Sequence, residues 1–353
     1  MADMPAPCLP GSCWQAGQPV PCGHSVSPAG ALYTATLPAS LMRKPSKPPA
    51  LVPGSTIAVV APASSAKPER IARGCQTLER LDYRAIDLTA RLKPHGYFSA
   101  PLNERRVALQ DALVRPGVRG VFCSRGGYGS AELLDGLKTA RMKRPRIFCG
   151  FSDLTSVHIF LWQKLRWVTF YGPLVAGGLD AGANATGGYD PDTFMCAITA
   201  TNTGWSTPLR GETLSRGACS GTLLGGCITL IETSLGTPWE LDTRGSILLL
   251  EDRGLKPYQL DRMLLHLKQA GKFKGVRGIV LGEFPECEAP EGSGVTVDEV
   301  CRRILEPLRI PIVYGAPVGH TPRPMLTLPL GIRARLHASG EGRLDILEPA
   351  VSA

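Results

Sequence analysis

The stretch PRIFCGFSDLTSVHIFLWQKL, residues 145–165, contains the repeating unit of the fold. A short apolar run, IFC, is followed by Gly150 and then by a segment whose apolar residues recur at helical spacing. This pattern predicts a buried strand, a sharp turn and a helix. Ser152 lies at the turn, so the same stretch raises a question of function. It is either the N-cap of a helix that begins at Asp153 or a nucleophile presented at the end of a strand.

The same alternation extends on both sides of this stretch. Upstream, the runs TIAVV, YRAIDL and VRGVFCS predict strands, and they alternate with helical patterns at 68–81, 103–114 and 130–138. The unit ends near WVTFYGPL, residues 167–174. Strands that alternate with amphipathic helices predict a mainly parallel sheet covered on both faces, which is the α/β fold class.

Changes in composition divide the chain into four parts. Residues 1–50 are rich in Pro, Gly, Ser and Ala, and we expect a disordered extension or a start-site artefact. The second explanation is considered because Met42 opens the stretch MRKPSKPPALVPGSTIAVV, which ends in the first predicted strand. Residues 51–175 hold the parallel-sheet pattern, and 176–212 form a linker with one helix in PDTFMCAITA. Residues 213–350 predict an α+β domain of short strands, including GTLLGGCITLI, with a terminal hairpin.

Composition excludes several classes of function. The 353 residues carry a net charge of +9 and a pI near 9.1, but no basic stretch interleaved with aromatic residues accompanies that charge. We therefore expect no nucleic-acid partner, and a basic surface that attracts a substrate with carboxylates. No run reaches the roughly 18 apolar residues of a membrane span, and the N-terminus lacks a signal-peptide pattern. The sequence predicts a cytoplasmic protein without a membrane partner.

Cysteine usage also argues for a reducing compartment. None of the eleven cysteines forms a C-x-x-C pair, and the histidines lie far from them, so we expect no metal site. Cys123, Cys149 and Cys227 lie in apolar runs and are predicted to be buried, reduced thiols. A cluster near the N-terminus, which could form disulfides only if the chain were exported, comprises Cys8, Cys13 and Cys22.

Three reactive residues follow apolar runs, where an α/β sheet collects its active site. Ser152 follows RIFCGF, Glu251 follows SILLL and His320 follows IVYGAPVG. A serine needs a base to remove its proton, a neutral imidazole does so near pH 7, and a carboxylate orients the imidazole. Simpler explanations are a surface position for Glu251 and a turn for His320. The rival bases His158 and His266 fall within helical patterns, so we expect packing or surface roles for them.

A second glycine-rich turn, SRGGYGSAELL, covers residues 124–134. Such a turn before a helix could bind phosphate through its amides. It is neither a P-loop nor a complete G-x-G-x-x-G, because Glu132 fills the last glycine position. The same amides could form an oxyanion hole together with the amide of Asp153.

Five blocks together resemble one family. GSTIAVVAPAS, SRGGYGSAELL, GFSDLT with FYGP, LLLEDRGLKPYQLDRML and APVGHTPRPMLTLPLG run in order across residues 54–332. They resemble the LD-carboxypeptidases of serine peptidase family S66, which include murein tetrapeptide carboxypeptidases and microcin C self-immunity peptidases. The resemblance implies a Rossmann-like N-terminal domain, a C-terminal domain of mixed β structure, a site between them and a homodimer.

The resemblance also implies the chemistry. It assigns a triad to Ser152, Glu251 and His320, and an oxyanion hole to Gly126 or Gly127 with Asp153. The triad would remove the terminal D-alanine from muropeptide tetrapeptides in cytoplasmic peptidoglycan recycling, without a metal or cofactor.

Two further residues and one departure belong to this comparison. Arg125 and Tyr128 are candidate binding residues for a substrate carboxylate. Cys227 stands where the family often has Asn, which puts local packing in doubt rather than the triad.

Three alternatives stay open. A microcin-immunity-type peptidase would share the triad and cleave peptidyl or aminoacyl nucleotides, with an aromatic residue of the inter-domain loop stacked on the base. Trp205 is the only tryptophan in that region, which favours the muropeptide substrate. The others are a non-catalytic anion- or nucleotide-binding protein that uses the glycine-rich turn, and a degenerate relative that only binds peptides.

Overall fold

The computed structural model describes residues 44–289, 292 and 294–353. Within them the chain forms two β-sheets with helices packed on their faces. The strands are β1 (Thr56–Val60), β2 (Arg84–Asp87), β3 (Val118–Cys123), β4 (Ile147–Gly150), β5 (Thr169–Tyr171), β6 (Trp205–Pro208), β7 (Glu212–Ser215), β8 (Gly217–Cys227), β9 (Ser246–Glu251), β10 (Gly278–Leu281), β11 (Ile312–Tyr314), β12 (Leu328–Leu330), β13 (Arg333–Ala338) and β14 (Arg343–Ile346). The α-helices are α1 (Pro68–Arg80), α2 (Leu102–Val114), α3 (Thr155–Leu165), α4 (Pro191–Thr199), α5 (Ile228–Thr233), α6 (Pro257–Gln269) and α7 (Val297–Leu305).

The first sheet has the strand order β12-β5-β4-β3-β1-β2. Strands β1 to β5 pair in parallel, and β12 pairs antiparallel with β5 at one edge. All residues of β1 and β4 are buried, as the continuous apolar runs of a covered parallel sheet require. The chain reverses its direction of travel across the sheet at β1, because β2 lies on one side of it and β3 on the other. The loops after β1 and β3 therefore diverge at a switch point, where α/β sheets bind ligands.

The second sheet has the order β6-β14-β13-β8-β9-β10-β11-β7. Strands β8 to β11 are parallel, and the strands outside them are antiparallel to their neighbours. Helices α6 and α7 pack together and bury their apolar residues in a cluster beneath this sheet. The two sheets confirm the predicted fold class: a parallel sheet in the N-terminal region and a mixed sheet after it.

Helix α3 explains why the quoted stretch is so apolar. Eight consecutive residues, from Thr155 to Trp162, are buried. The helix contacts β5 of the first sheet on one side and β8 with α5 of the second on the other. A helix enclosed on several sides needs apolar residues all around its circumference. It ends at Leu165, and the next residue, Arg166, adopts a left-handed conformation with φ of 56°.

Several predicted elements differ from those observed. Residues 130–138 form a short 3-10 helix, Ala131–Gly136, rather than an α-helix, since so short a segment cannot easily propagate α-helical hydrogen bonds. The run CITLI does not continue β8, because the strand ends at Cys227 and α5 follows. The predicted hairpin is formed by β13 and β14 only, while β12 joins the first sheet. Strand β6 and helix α7 were not predicted.

The predicted domain boundaries remain predictions, and strand β12 crosses the proposed division between them. The N-terminal extension predicted over residues 1–50 lies outside the described residues up to residue 43. Beyond that point, Ser46 bridges to Trp167, and Pro49 bridges to Ser352. Order in the described chain thus begins before Thr56, through backbone pairing that leaves no periodic signal in the sequence.

Candidate active site

Ser152 lies at a strained turn directly after β4. Its φ of 66° is left-handed, a conformation that costs a non-glycine residue about 1–2 kcal/mol. A 3-10 turn, Ser152–Leu154, precedes α3, whose first residue is Thr155 rather than Asp153. No side chain caps either helix start. The explanation of Ser152 as a helix cap is therefore wrong, and the strained turn must be stabilised by other contacts.

The glycine-rich loop approaches Ser152 more closely than any side chain would permit. A Cβ atom placed on Gly126 would lie 2.8 Å from the Ser152 Cβ and 3.0 Å from its Oγ. The same point is 3.4 Å from the backbone nitrogen of Asp153. The backbone of Gly126 thus packs directly against the Ser152 side chain, next to the Asp153 amide. Amides in such positions can stabilise an oxyanion that forms there.

The side chain of Asp153 holds the loop against the turn. Its carboxylate accepts hydrogen bonds from the backbone N–H groups of Gly129 at 3.2 Å and Ser130 at 2.8 Å. The Ser130 hydroxyl in turn donates to the Asp153 carbonyl oxygen at 2.7 Å. Burial raises the pKa of Asp153, although these hydrogen bonds oppose the increase. The sequence predicted a role for the amide of this residue and missed the structural role of its carboxylate.

Arg105 supports the same loop from beneath. This side chain is only 1% exposed, and its guanidinium donates to the carbonyl oxygens of Ala100, Pro62 and Gly129 at 2.8–2.9 Å. It also pairs with Glu132 at 2.8 Å. A buried guanidinium with its donors satisfied fixes the surrounding backbone, because moving that backbone would leave the charge without partners. The glutamate that breaks the dinucleotide pattern is therefore a partner of this arginine.

Glu251 and His320 form a pair beyond the strand ends of the second sheet, in which the carboxylate is buried and the imidazole is half-buried. Glu251 is the last residue of β9 and is completely buried. Its Oε2 accepts from the backbone N–H of His320 at 2.9 Å and from the ring nitrogen Nδ1 at 2.8 Å. Because a carboxylate only accepts, we assign the proton of the neutral ring to Nδ1, which leaves Nε2 free to accept one. Gly319 makes this contact possible, since a Cβ there would lie 2.3 Å from the Glu251 Cδ.

The pair shifts the pKa of both members. Burial alone would raise the pKa of Glu251, but the charge of His320 and hydrogen bonds from His320 and Tyr171 lower it below its usual value. Burial alone would lower the pKa of His320, but the charge and hydrogen bond of Glu251 outweigh it, so the pKa lies above 6.5. Such an imidazole is a stronger base than a free histidine, and it must lose its proton before it can accept another.

Ser152 and His320 line one cleft of about 700 Å³. No direct hydrogen bond joins these two described side chains, and catalytic hydrogen bonds often tighten only when substrate binds. Predicted residues Arg125, Gly126 and Gly127 also line the cleft. Tyr128 does not. It is 55% exposed and packs instead in an aromatic cluster with Tyr97 and Phe98.

The rival histidines do not enter the cleft. His158 is buried in α3, where its Nε2 lies 2.8 Å from the Gly150 carbonyl oxygen, and burial lowers its pKa to about 4. It is therefore neutral and donates that hydrogen bond. His266 pairs with Glu232 at 2.6 Å on the surface of α6. Their predicted packing and surface positions agree with this structure.

Two residues near the site, Tyr171 and Asp252, were not predicted from the sequence to have a role. Tyr171, the last residue of β5, donates from its hydroxyl to Glu251 Oε1 at 2.5 Å. It ends the apolar run WVTF, so the rule that found Ser152 would have found it too. Asp252 accepts from the Cys227 thiol at 3.3 Å and from the Thr229 N–H at 2.9 Å. The cysteine at the position where the family often has Asn is thus accommodated by a hydrogen bond.

Two further properties concern the described ranges alone. They contain no group of three or more His, Cys, Asp or Glu side chains arranged to hold a metal ion. In the same ranges, no helix is long and apolar enough to cross a membrane.

A strained serine, a buried carboxylate–histidine pair and backbone amides around one cleft are the features of a serine hydrolase. Comparison with known families agrees. The LD-carboxypeptidase N-terminal domain model matches residues 57–172, and the LD-carboxypeptidase C-terminal domain model matches residues 220–336. The chain belongs to the LD-carboxypeptidase family, peptidase family S66, and is a serine-type carboxypeptidase.

Individual proteins are similar to this one over most of the chain. It is 31% identical over 309 residues to the probable murein peptide carboxypeptidase of Bacillus subtilis strain 168, covering 87% of this chain and 95% of that protein. The crystal structure of muramoyltetrapeptide carboxypeptidase from Oxalobacter formigenes has a TM-score of 0.74 at 30% identity, covering 83% and 99% of the two chains. The microcin C7 self immunity protein MccF in complex with aspartyl sulfamoyl adenosine shares the fold, with a TM-score of 0.78 at 23% identity, over 87% and 100%.

Proposed function

We propose that this protein is a cytoplasmic LD-carboxypeptidase that removes the terminal D-alanine from muropeptide tetrapeptides, with Ser152, His320 and Glu251 as its triad. The main support is the Glu251–His320 pair, whose histidine lines the same cleft as the strained Ser152. The names of the relatives support the substrate, since those from Bacillus subtilis and Oxalobacter formigenes refer to murein or muramoyl peptides.

The proposed reaction has two halves. Ser152 Oγ attacks the carbonyl carbon of the scissile peptide bond while His320 Nε2 takes the hydroxyl proton. The oxyanion then faces the amides of the glycine-rich loop, at Gly126 or Gly127, and of Asp153. The C–N bond breaks, and His320 returns its proton to the departing D-alanine amine. Water, deprotonated by the same imidazole, hydrolyses the acyl-enzyme and releases the tripeptide.

The charge of the cleft supports a substrate with a free carboxylate. Four cations and one carboxylate, that of Asp252, line it, and two of the cations are neutralised: Arg70 pairs with Asp180 at 2.5 Å, and Arg253 pairs with Glu286. Lys67 and Arg125 have no carboxylate partner among the described residues.

Arg125 directly precedes Gly126, the residue in contact with Ser152. We propose that Arg125 binds the carboxylate of the departing D-alanine, with Lys67 adding charge. Tyr128 remains a predicted binding residue, although its ring lies in the aromatic cluster outside the cleft lining.

A nucleotide substrate is the second candidate, and the shared fold of the microcin immunity protein favours it. It would need an aromatic side chain over the base, and Trp205 is the tryptophan of the inter-domain region. Trp205 lies on β6, pairs with Ile346 of β14 and does not line the cleft. This position favours the muropeptide. A purely anion-binding protein would bind phosphate equally well after Ser152→Ala.

The test compares substrates and variants. A muropeptide tetrapeptide and an aspartyl sulfamoyl adenosine are incubated separately with wild type, Ser152→Ala and Ser124→Ala, and the products are identified by mass spectrometry. Ser124 is a buried serine directly after β3 and serves as the matched control. We expect loss of one D-alanine with wild type and Ser124→Ala only. Cleavage of the nucleotide alone, or turnover by Ser152→Ala, would overturn the proposal.

We further propose that the protein acts in peptidoglycan recycling and forms a homodimer. Both proposals rest on likeness to the family. Light scattering on the purified chain tests the second, with a mass near twice 37.7 kDa expected. A mass that stays at the monomer value across the accessible concentration range would contradict it.

A further inference from the structure

Tyr171 occupies a position between the two halves of the site. It is the last residue of β5 in the first sheet, whereas Glu251 is the last residue of β9 in the second. The side chain is completely buried. Its ring fills the space between the sheets so closely that a Cβ on Gly226 would lie 3.0 Å from its Cε2.

The Tyr171 hydroxyl uses its full hydrogen-bonding capacity. It donates its proton to Glu251 Oε1 at 2.5 Å, accepts from the Ser152 backbone N–H at 3.2 Å and accepts from Thr155 Oγ1 at 3.5 Å. A phenolic hydroxyl has one proton and two lone pairs. Because the carboxylate can only accept, the proton must point to Glu251, and the lone pairs must face the serine turn. The direction of every bond is therefore fixed.

We propose that Tyr171 is a positioning residue that joins the strained turn of Ser152 to the Glu251–His320 pair. Through one hydroxyl it stabilises the backbone of the turn and satisfies the carboxylate oxygen that His320 leaves unused. The proposal rests on the triad of the proposed function and adds a fourth member, which does not touch the substrate. Burial raises the pKa of Tyr171 well above its usual value, so the hydroxyl remains a donor wherever the enzyme is active.

Removal of the hydroxyl affects both halves. In Tyr171→Phe the Ser152 N–H loses its acceptor, so the turn is less firmly held. Glu251 then accepts hydrogen bonds from His320 alone. Its negative charge is no longer partly neutralised by the Tyr171 hydroxyl, so it stabilises a protonated imidazole more strongly. The imidazolium is then favoured, and the pKa of His320 increases. The other ionisable groups near the pair are unchanged in the variant; they are Cys227, Asp252, Arg253 and Glu286.

The experiment measures kinetics and titration together. Tyr171→Phe is compared with wild type and with Tyr83→Phe, a buried tyrosine in the turn before β2. We expect kcat for tetrapeptide hydrolysis to decrease roughly 10- to 100-fold in Tyr171→Phe with KM little changed. The acidic limb of the pH–rate profile should move up by about one pH unit. Tyr83→Phe should match wild type in both measurements.

A substrate-independent measurement separates this inference from the proposed function. The His320 ring is titrated by NMR in both proteins, with its signal assigned through His320→Gln. A higher His320 pKa in Tyr171→Phe supports the positioning role even if the muropeptide proves not to be the substrate. An unchanged pKa, or a decrease in kcat that Tyr83→Phe reproduces, would overturn the inference. A wild type that fails to cleave the tetrapeptide would overturn the proposed function alone.

Discussion

The two halves of the site are held by different forces. The serine turn, on the first sheet, depends on backbone geometry: a left-handed residue, a glycine in contact with it and a loop fixed by Asp153. The Glu251–His320 pair, on the second sheet, depends on burial and charge, with one carboxylate that accepts three hydrogen bonds. The first half should therefore be sensitive to added volume and the second to lost charge.

The largest effect should follow loss of charge in the second half. Glu251→Gln keeps the shape, but its amide can donate to His320 and favour the wrong tautomer. We expect kcat to decrease about 10³- to 10⁴-fold, as for the equivalent change in other triads. Steady-state hydrolysis of the tetrapeptide measures it. Glu79→Gln, an exposed change on α1, is the control. A decrease of less than tenfold would show that the charge of Glu251 is unimportant.

Added volume in the first half should have the next largest effect. Gly126→Ala places a methyl group 2.8 Å from the Ser152 Cβ, so either the serine or the loop must move. We expect kcat/KM to decrease roughly 10²-fold, because displacement of a reacting group by about 1 Å costs that much. Gly54→Ala, where a Cβ would meet nothing within 4 Å but must adopt a φ of 79°, controls for the loss of stability that a strained glycine substitution causes far from the site. Equal activities in the two variants would refute the close-contact argument.

The pH dependence of activity and stability should be determined by the second half of the site, the Glu251–His320 pair. The reaction needs neutral His320, whose pKa lies above 6.5, so kcat/KM should rise with pH through that higher value. Stability should change in the opposite direction. A raised histidine pKa stabilises the folded state fully below about 6.5, and this contribution is lost as the pH rises through the folded value. Chemical denaturation between pH 6 and 9 measures it, and Glu251→Gln should reduce the pH dependence. A His320 that titrates at or below 6.5 would contradict the pairing.

The smallest effect concerns strain in the first half. Ser152→Gly removes the steric cost of the left-handed conformation but adds the conformational freedom of glycine to the unfolded chain. We expect the free energy of unfolding to increase by roughly 0.5 kcal/mol while activity is lost. Urea denaturation measures the change, with Ser156→Gly in α3 as a control that should destabilise the protein. A destabilised Ser152→Gly variant would mean that the turn is not strained.

Much of the fold could be predicted from the sequence, for physical reasons. The parallel strands are buried on both sides and therefore appear as uninterrupted apolar runs such as TIAVV and IFC. Reactive residues that follow such runs lie beyond the carboxyl ends of strands, so Ser152, Glu251 and His320 could be named together although they belong to two sheets. Strands such as β6 and β12 lie at sheet edges, and their burial depends on partners far away in the chain.

The supporting contacts could not be predicted in the same way. Arg105 is buried by loops from three separate parts of the chain, and no local pattern marks a buried arginine. The carboxylate of Asp153 binds amides more than twenty residues away. Tyr171 is different, because its position after an apolar run was visible, while its partner Glu251 lies 80 residues further along the chain.

The central claim is that Ser152 becomes acylated with the help of His320 and Glu251. The most direct test is to quench the wild-type reaction with tetrapeptide in acid within milliseconds and to analyse the tryptic peptides, including 147–164 and 120–125, by mass spectrometry. The account predicts a mass increase equal to the tripeptide acyl group, located on Ser152 and absent from Ser152→Ala. An acyl group on another residue, such as Ser124, or continued turnover by Ser152→Ala, would contradict it.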